Sequence, residues 1–354
     1  MIIHSQLKDY EVHMESDLAF LNAFSGVENK KLVVDQNVYR LYSEYFASIP
    51  DDQIIIIEAT ESNKVIDTAL KVCEKMTEIP AKRNALLISI GGGIIQDITG
   101  FVANILYRGI KWVFVPTTLL AACDSCIGGK TSLNYKKYKN LLGTFYPPDH
   151  IYICAEFFKT LSDRDYKSGL GEVVKFNIMA GQQGLENITE HIDILLKRQP
   201  ECVNEFVHSS LAFKKAFIEM DEFDHGERIK LNFAHTFGHA IEVVTNYIIS
   251  HGTAVAIGMI MADHISWERG YLTEDFIRSS ESVLLQVIDI DLDLLKVPVS
   301  HMIDAIRKDK KQTSTALTAV LLKNTQEKSE LQIVHDLTEA EVESALSHFI
   351  TVYH

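Results

Sequence analysis

The sequence is short of cysteine, has no excess of positive charge and contains no long apolar run. Cys73, Cys123, Cys126, Cys154 and Cys202 are the five thiols in 354 residues, odd in number and irregularly spaced. That is no disulfide framework, and it fits a reducing cytoplasm. A formal net charge of −14 argues against a general nucleic-acid binder, which needs a basic face. No apolar stretch approaches the roughly 20 residues of a membrane span, and the opening Met1–Tyr10 lacks a basic-then-apolar signal pattern. Neither nucleic-acid nor membrane partners are expected. Cys123-Asp124-Ser125-Cys126 is formally a C-x-x-C, but no second pair at zinc-ribbon spacing accompanies it, so it reads as two small buried thiols in a turn.

What is present is a globular composition, 47% hydrophobic and 23% charged, in a chain long enough for two domains. Short, near-continuous apolar runs recur in the first 155 residues: K-L-V-V-D, Q-I-I-I-I-E, A-L-L-I-S-I-G-G-G, K-W-V-F-V-P and H-I-Y-I-C. Strands covered on both faces read this way, and helix-compatible segments such as Lys64 to Met76 lie between several of them. This predicts an α/β domain with a largely parallel sheet over 1–160. Helical spacing then dominates (Glu186–Lys197, Val203–Glu219, Ala240–Tyr247, Ala254–Trp267), which predicts a mostly α-helical domain over 161–354. With no repeat, low-complexity tract or flexible linker, a cleft between the two is the expected ligand site.

The most informative stretch runs from Arg228 to Gly258, R-I-K-L-N-F-A-H-T-F-G-H-A-I-E followed by H-G-T-A-V-A-I-G. His235 and His239 are four apart, one face of a helix if the segment is helical, and His251 follows sixteen residues after His235. Arg228 and Asn232 would lie one and two turns earlier on that face. A lone buried histidine is usually a core residue; three in seventeen residues beside Arg and Asn point to a metal site. The residues alone leave the donors open: a three-His set, or two histidines with a distant carboxylate while the third His works as acid and base.

Other segments carry weaker signals. Gly91-Gly92-Gly93 turns a strand pattern into an amphipathic segment, as a phosphate-binding helix N-terminus requires. However, Gln96 stands where a dinucleotide fingerprint has its third glycine, and there is no Walker lysine. The next loop, V-P-T-T-L-L-A-A-C-D-S-C-I-G-G-K-T-S-L-N, gathers Thr117, Thr118, Asp124 and Lys130 after a strand, with Lys139 and Asn140 close behind. Glu172 and Lys175, in G-E-V-V-K, read alone as an ordinary helix ion pair.

Taken together, the sequence resembles the 3-dehydroquinate synthases within the sugar phosphate cyclases. The resemblance rests on G-G-G-x-x-x-D at Gly91–Asp97, R-G at Arg108, Val115 to Thr131, Lys139-Asn140, G-E-V-V-K, the histidine segment and D-K-K at 309–311. It implies a Rossmann-like dinucleotide-binding α/β domain and a helical metal- and substrate-binding domain. It also implies a divalent metal (zinc, with cobalt as the alternative) on Glu172, His235 and His251. NAD would contact Asp35, Asn37, Glu61, Lys64, Gly92, Gly93, Asp97, Thr117, Thr118 and Lys139. His239 becomes an acid/base residue. Substrate contacts would come from Arg108, Asp124, Lys130, Asn140, Lys175, Lys214, Arg228, Asn232 and Lys310 or its neighbour Lys311.

The implied reaction converts 3-deoxy-arabino-heptulosonate 7-phosphate to 3-dehydroquinate and phosphate, with catalytic NAD and no net redox, in a cytoplasmic homodimer. The family alternatives are a 2-deoxy-scyllo-inosose or 2-epi-5-epi-valiolone synthase and a glycerol-dehydrogenase-like metal oxidoreductase; a non-catalytic carbohydrate-binding paralogue is the reading from another class. Gln96, Ala234, Cys123 and Cys126 depart from the family pattern.

Overall fold

The computed structural model describes residues 1–354 apart from 137, 309–315 and 326–328. It divides into two compact units, Met1–Leu161 and Ser162–His354.

In the first unit the strands are β1 (Ile2–Ile3), β2 (Tyr10–Glu15), β3 (Lys30–Asp35), β4 (Ile54–Ile57), β5 (Leu86–Gly91), β6 (Lys111–Pro116), β7 (Lys130–Tyr135), β8 (Tyr138–Phe145) and β9 (His150–Cys154). Seven of these form one sheet in the order β1-β2-β9-β6-β5-β3-β4, parallel throughout except for the antiparallel edge strand β1. Its central strands are the apolar runs of the sequence: Leu32, Val33, Val34, Leu87, Ile88, Ile90, Phe114 and Val115 are fully buried, as a sheet covered on both faces demands. The helices α1 (Gln36–Leu41), α2 (Ile66–Met76) and α3 (Gly93–Ile105) pack against it. The chain steps from β3 outward to β4 and then back across to β5, so the strand order reverses between β3 and β5. Ligands of open α/β sheets bind at the carboxyl ends of strands at such a point.

Two features of this unit escape the apolar pattern. The β1–β2 edge is short and half polar, and β7 with β8 makes a polar antiparallel hairpin in what reads as a continuous loop.

The second unit is helical, as its sequence pattern suggests: α4 (Asp163–Met179), α5 (Gln182–Leu196), α6 (Pro200–Met220), α7 (His235–Val244), α8 (His251–Glu268), α9 (Glu274–Val287), α10 (Val299–Lys308) and α11 (Glu339–Tyr353). A two-stranded antiparallel ribbon, β10 (Leu317–Asn324) with β11 (Ser329–Leu337), joins them. Helix α8 is buried from Gly252 to Ser266 and packs on α4, α7, α9, α11 and β10. A helix that is apolar all round belongs in such a centre.

Candidate active site

Three helices of the second unit converge on one buried carboxylate. Glu172 on α4 is wholly buried. Its Oε1 lies 3.5 Å from His235 Nε2 and 3.4 Å from His251 Nε2, while its Oε2 pairs with the buried ammonium of Lys175. Glycine contact brings these helices together. A Cβ on Gly252 would stand 1.7 Å from the carbonyl oxygen of Ser168, and one on Gly171 would stand 2.2 Å from that of Gly252. Only glycine lets the two backbones touch here, and the touch sets Glu172 against His251.

Each imidazole is oriented through its other nitrogen. His235 Nδ1–H donates to the carbonyl oxygen of Phe233 at 3.0 Å, and His251 Nδ1 lies 3.1 Å from Glu242 Oε2. Both Nε2 atoms therefore face inward, the arrangement that metal-binding histidines use. Burial works against charge on Glu172, but Lys175 and His251 outweigh it and hold the carboxyl well below the usual range. Burial likewise opposes a proton on His251, and the carboxylates of Glu172 and Glu242 overcome it. The ground favours a cation.

A tetrahedral zinc-class ion with bonds of about 2.0–2.2 Å separates its ligand atoms by roughly 3.3–3.6 Å. The 3.4 and 3.5 Å spacings therefore fit such an ion, and the donor set, one carboxylate and two imidazoles, suits it as well. His239 stands beside this set, its ring centroid 5.4 Å from His235 and 6.0 Å from His251. His239, Glu242 and His251 form an overlapping donor group, so geometry alone still admits His239 as a ligand.

Lys214 and Arg228, two further expected cations of this unit, are buried and placed by different elements. Lys214 lies on α6, which packs on α4 and on the turn Glu227–Asn232 that carries Arg228 and Asn232. Arg228 donates through its guanidinium to the carbonyl oxygen of Glu222. Asp221 anchors the approach by accepting the backbone N–H groups of His225, Gly226 and Arg228.

One expectation fails here: Arg228 and Asn232 do not share a helix with His235. Their short 3₁₀ turn ends at Asn232. Phe233 (φ −46°, ψ 133°) leaves the helical conformation, and Ala234 adopts a left-handed one (φ 68°, ψ −19°) before α7 begins at His235. The backbone breaks because the chain turns there to present His235 at a helix N-terminus. Lys310 and Lys311 lie outside the described residues.

In the first unit, the expected residues gather at the carboxyl ends of β3, β5 and β6. Asp35 ends β3 and caps α1 by accepting the N–H of Asn37 at 2.7 Å; burial raises its carboxyl above the ordinary value. Gly92 precedes α3, where a Cβ would come within 2.9 Å of Thr118. Gly93 begins that helix, and the N–H of Thr117 donates to the carbonyl oxygen of Gly91.

Beside them lies one polar network. Lys64 pairs with Asp97 and donates to Asn140 Oδ1 at 2.6 Å, Asp97 accepts from Ser132, and Glu61 accepts from Asn134 at 2.7 Å. Burial pushes the Asp97 carboxyl up against the pull of Lys64. A recess of about 320 Å³ opens beside Glu61, Val65, Asn134, Tyr138 and Lys139. Arg108 sits exposed in a turn of positive φ, Lys130 begins β7 with its side chain exposed, and Asp124 lies on a helical turn, half-buried.

The family models decide the relationship. One described as 3-dehydroquinate synthase N-terminal matches residues 54–168, and one described as 3-dehydroquinate synthase C-terminal matches 169–312. The chain belongs to the 3-dehydroquinate synthase family. A 3-dehydroquinate synthase of Dictyoglomus turgidum is 36% identical over 83% of this chain and 82% of its own length. One of Dictyoglomus thermophilum is 33% identical over 96% of both. Among solved structures, the 2-epi-5-epi-valiolone synthase of Streptomyces hygroscopicus subsp. jinggangensis, with NAD+ and Zn2+ bound, superposes with a TM-score of 0.83 at 25% identity. That match covers 98% of this chain and 99% of the other.

Within this family setting, two residues gain roles that the sequence did not suggest. Glu242 orients His251; its signal was a carboxylate one helical turn past His239. Gln96, a departure from the family pattern, is buried and reaches Ser125, whose hydroxyl lies beside Gly93. Its amide donates to the carbonyl oxygen of Ser125 at 2.7 Å, and the Ser125 hydroxyl donates back at 2.6 Å. It ties α3 to the C-D-S-C turn, where the buried thiols of Cys123 and Cys126 donate to the carbonyl oxygens of Leu120 and Ala122.

Proposed function

We propose that the chain catalyses the 3-dehydroquinate synthase reaction, releasing phosphate from 3-deoxy-arabino-heptulosonate 7-phosphate and closing the carbocycle. The observation that carries this reading is the convergence of His235 and His251 on the buried Glu172, with Lys175 and His239 alongside. Glu172, His235 and His251 hold a divalent cation, with zinc first and cobalt as the alternative. When bound, NAD supplies a hydride acceptor that later gives the hydride back, and the cation supplies a Lewis acid at the hydroxyl being oxidised.

The chain's own residues do the rest. Asp35, Asn37, Glu61, Lys64, Gly92, Gly93, Asp97, Thr117, Thr118 and Lys139 bind the dinucleotide, with its pyrophosphate against the N-terminus of α3. Arg228, Asn232 and Lys214 hold the substrate carboxylate, to which a planar guanidinium is well matched. Lys130, Lys175, Asn140, Arg108, Asp124 and one lysine of the 310–311 pair position the rest of the sugar acid phosphate. His239 takes and returns protons at the carbon chain as phosphate departs. One orientation serves every step.

No helix among the described residues is long and apolar enough to cross a membrane, and we place the protein in the cytoplasm as a homodimer. The test is phosphate release from the heptulosonate phosphate with catalytic NAD, repeated with a chelator. Release without NADH accumulation, abolished by the chelator, is expected. Steady NADH formation would make the protein a dehydrogenase. Release only from sedoheptulose 7-phosphate or glucose 6-phosphate would make it another cyclase.

A further inference from the structure

A second carboxylate–imidazole–imidazole group stands on the sheet of the first unit. Strands β2 and β9 are parallel neighbours, with Glu11 opposite His150 and His13 opposite Tyr152. Side chains alternate along a strand, so these four share one face, while Val12 and Ile151 between them are buried on the other.

The three donor atoms already stand at metal spacing. His13 Nε2 lies 3.2 Å from His150 Nδ1 and 3.4 Å from Glu11 Oε2, and His150 Nδ1 lies 3.8 Å from the same carboxylate oxygen. These values bracket the roughly 3.3–3.6 Å edge of a tetrahedral zinc-class site. The rings are held by stacking. His13 lies on Tyr152 at 4.8 Å and 16°, and Tyr152 is stacked on Phe20 at 5.6 Å and 19° and edged by Phe24. The donors project from the middle of β2 and the start of β9. The glycine turn and Asp35 lie at the carboxyl ends of β5 and β3, so this group stands apart from the residues assigned to the dinucleotide.

We propose that Glu11, His13 and His150 form a second binding site for a divalent transition-metal cation of the zinc class, with water completing the coordination. Two imidazoles and one carboxylate select zinc, cobalt or nickel over magnesium and calcium, which prefer all-oxygen shells. The bound ion ties β2 to β9 across a sequence separation of about 140 residues and stabilises the first unit by mass action.

The test uses the full chain without an affinity tag. After equilibration with zinc and gel filtration, bound metal is measured in the wild type, in His13→Asn, in His150→Asn and in Glu172→Gln. Cobalt absorption serves as a second readout. The proposal expects each surface variant to lose one equivalent relative to the wild type while turnover stays unchanged. A variant combining His13→Asn with Glu172→Gln should lose both equivalents. The expected cobalt signature is visible absorption that survives Glu172→Gln and disappears in the combined variant. The proposal falls if the surface variants bind as much metal as the wild type, for then the two histidines and Glu11 satisfy only one another. It also falls if Glu172→Gln alone removes all bound metal. Failure of the site at Glu172 would appear separately, as unchanged metal content in Glu172→Gln.

Discussion

Among the described residues, two groups that share no member, each a glutamate and two histidines at nearly equal spacing, stand in opposite settings. Glu172, His235 and His251 come from three helices, with the carboxylate fully buried and each outer imidazole nitrogen held by Phe233 or Glu242. Glu11, His13 and His150 come from two regular adjacent strands, partly exposed, with rings held by stacking. The buried group is assembled against resistance: a desolvated carboxylate, a close backbone contact between α4 and α8, and a left-handed alanine. The surface group needs none of these. A fixed donor set around a buried carboxylate suits a Lewis acid beside a substrate, whereas a partly exposed set on two adjacent strands suits a crosslink. The contrast agrees with the proposed roles, chemistry at one site and stability at the other.

The strongest test removes the carboxylate from the buried site. Glu172→Gln keeps the shape but takes away the charge facing both imidazoles, and should eliminate the tightly bound metal at that site. Loss of a Lewis acid worth several kcal/mol lowers turnover by about 10³-fold or more, at tenfold per 1.36 kcal/mol. Turnover within tenfold of the wild type, in a variant that folds normally by circular dichroism, would remove the reason for separating the two triads.

A smaller effect probes the outer shell that only the buried site has. Glu242→Gln keeps a side chain of the same size near His251 Nδ1 but removes its charge. Partners of this kind typically change metal affinity about 10–100-fold. A competition titration with a chelator should show that weakening for the ion at Glu172, with no change at Glu11. Equal affinity in variant and wild type would mean that Glu242 only fills space.

Much of this was legible because the apolar pattern and the reactive residues lie in separate stretches. The runs from Lys30, Ile54, Leu86 and Lys111 read as strands because they are near-continuously apolar, and the run at His150 because Ile151 and Ile153 alternate into the core. Tyr10–Glu15 and Lys130–Tyr135 are strands too, but polar on one side, and Leu317–Asn324 is an apolar run short enough to pass for helix. At the site, the histidine spacing marks the metal chemistry, and the family resemblance names Glu172. The surface triad left no trace, since Glu11 and His150 are 139 positions apart and only strand pairing joins them. The break between Arg228 and His235 was hidden because no glycine or proline announces it.

That break supplies the finest test. Ala234 holds φ 68°, a region that costs an L-residue roughly 1–2 kcal/mol and glycine nothing. Glycine forfeits part of that gain through its greater unfolded-state freedom, which leaves Ala234→Gly more stable by roughly 0.5–1 kcal/mol. In the 193-residue second unit that amounts to a rise of about 1–4 °C in melting temperature, read by calorimetry on the metal-free protein. The surface triad contains no residue of positive φ, so no comparable substitution should stabilise it. A fall in melting temperature would mean that the alanine methyl contributes packing worth more than the strain.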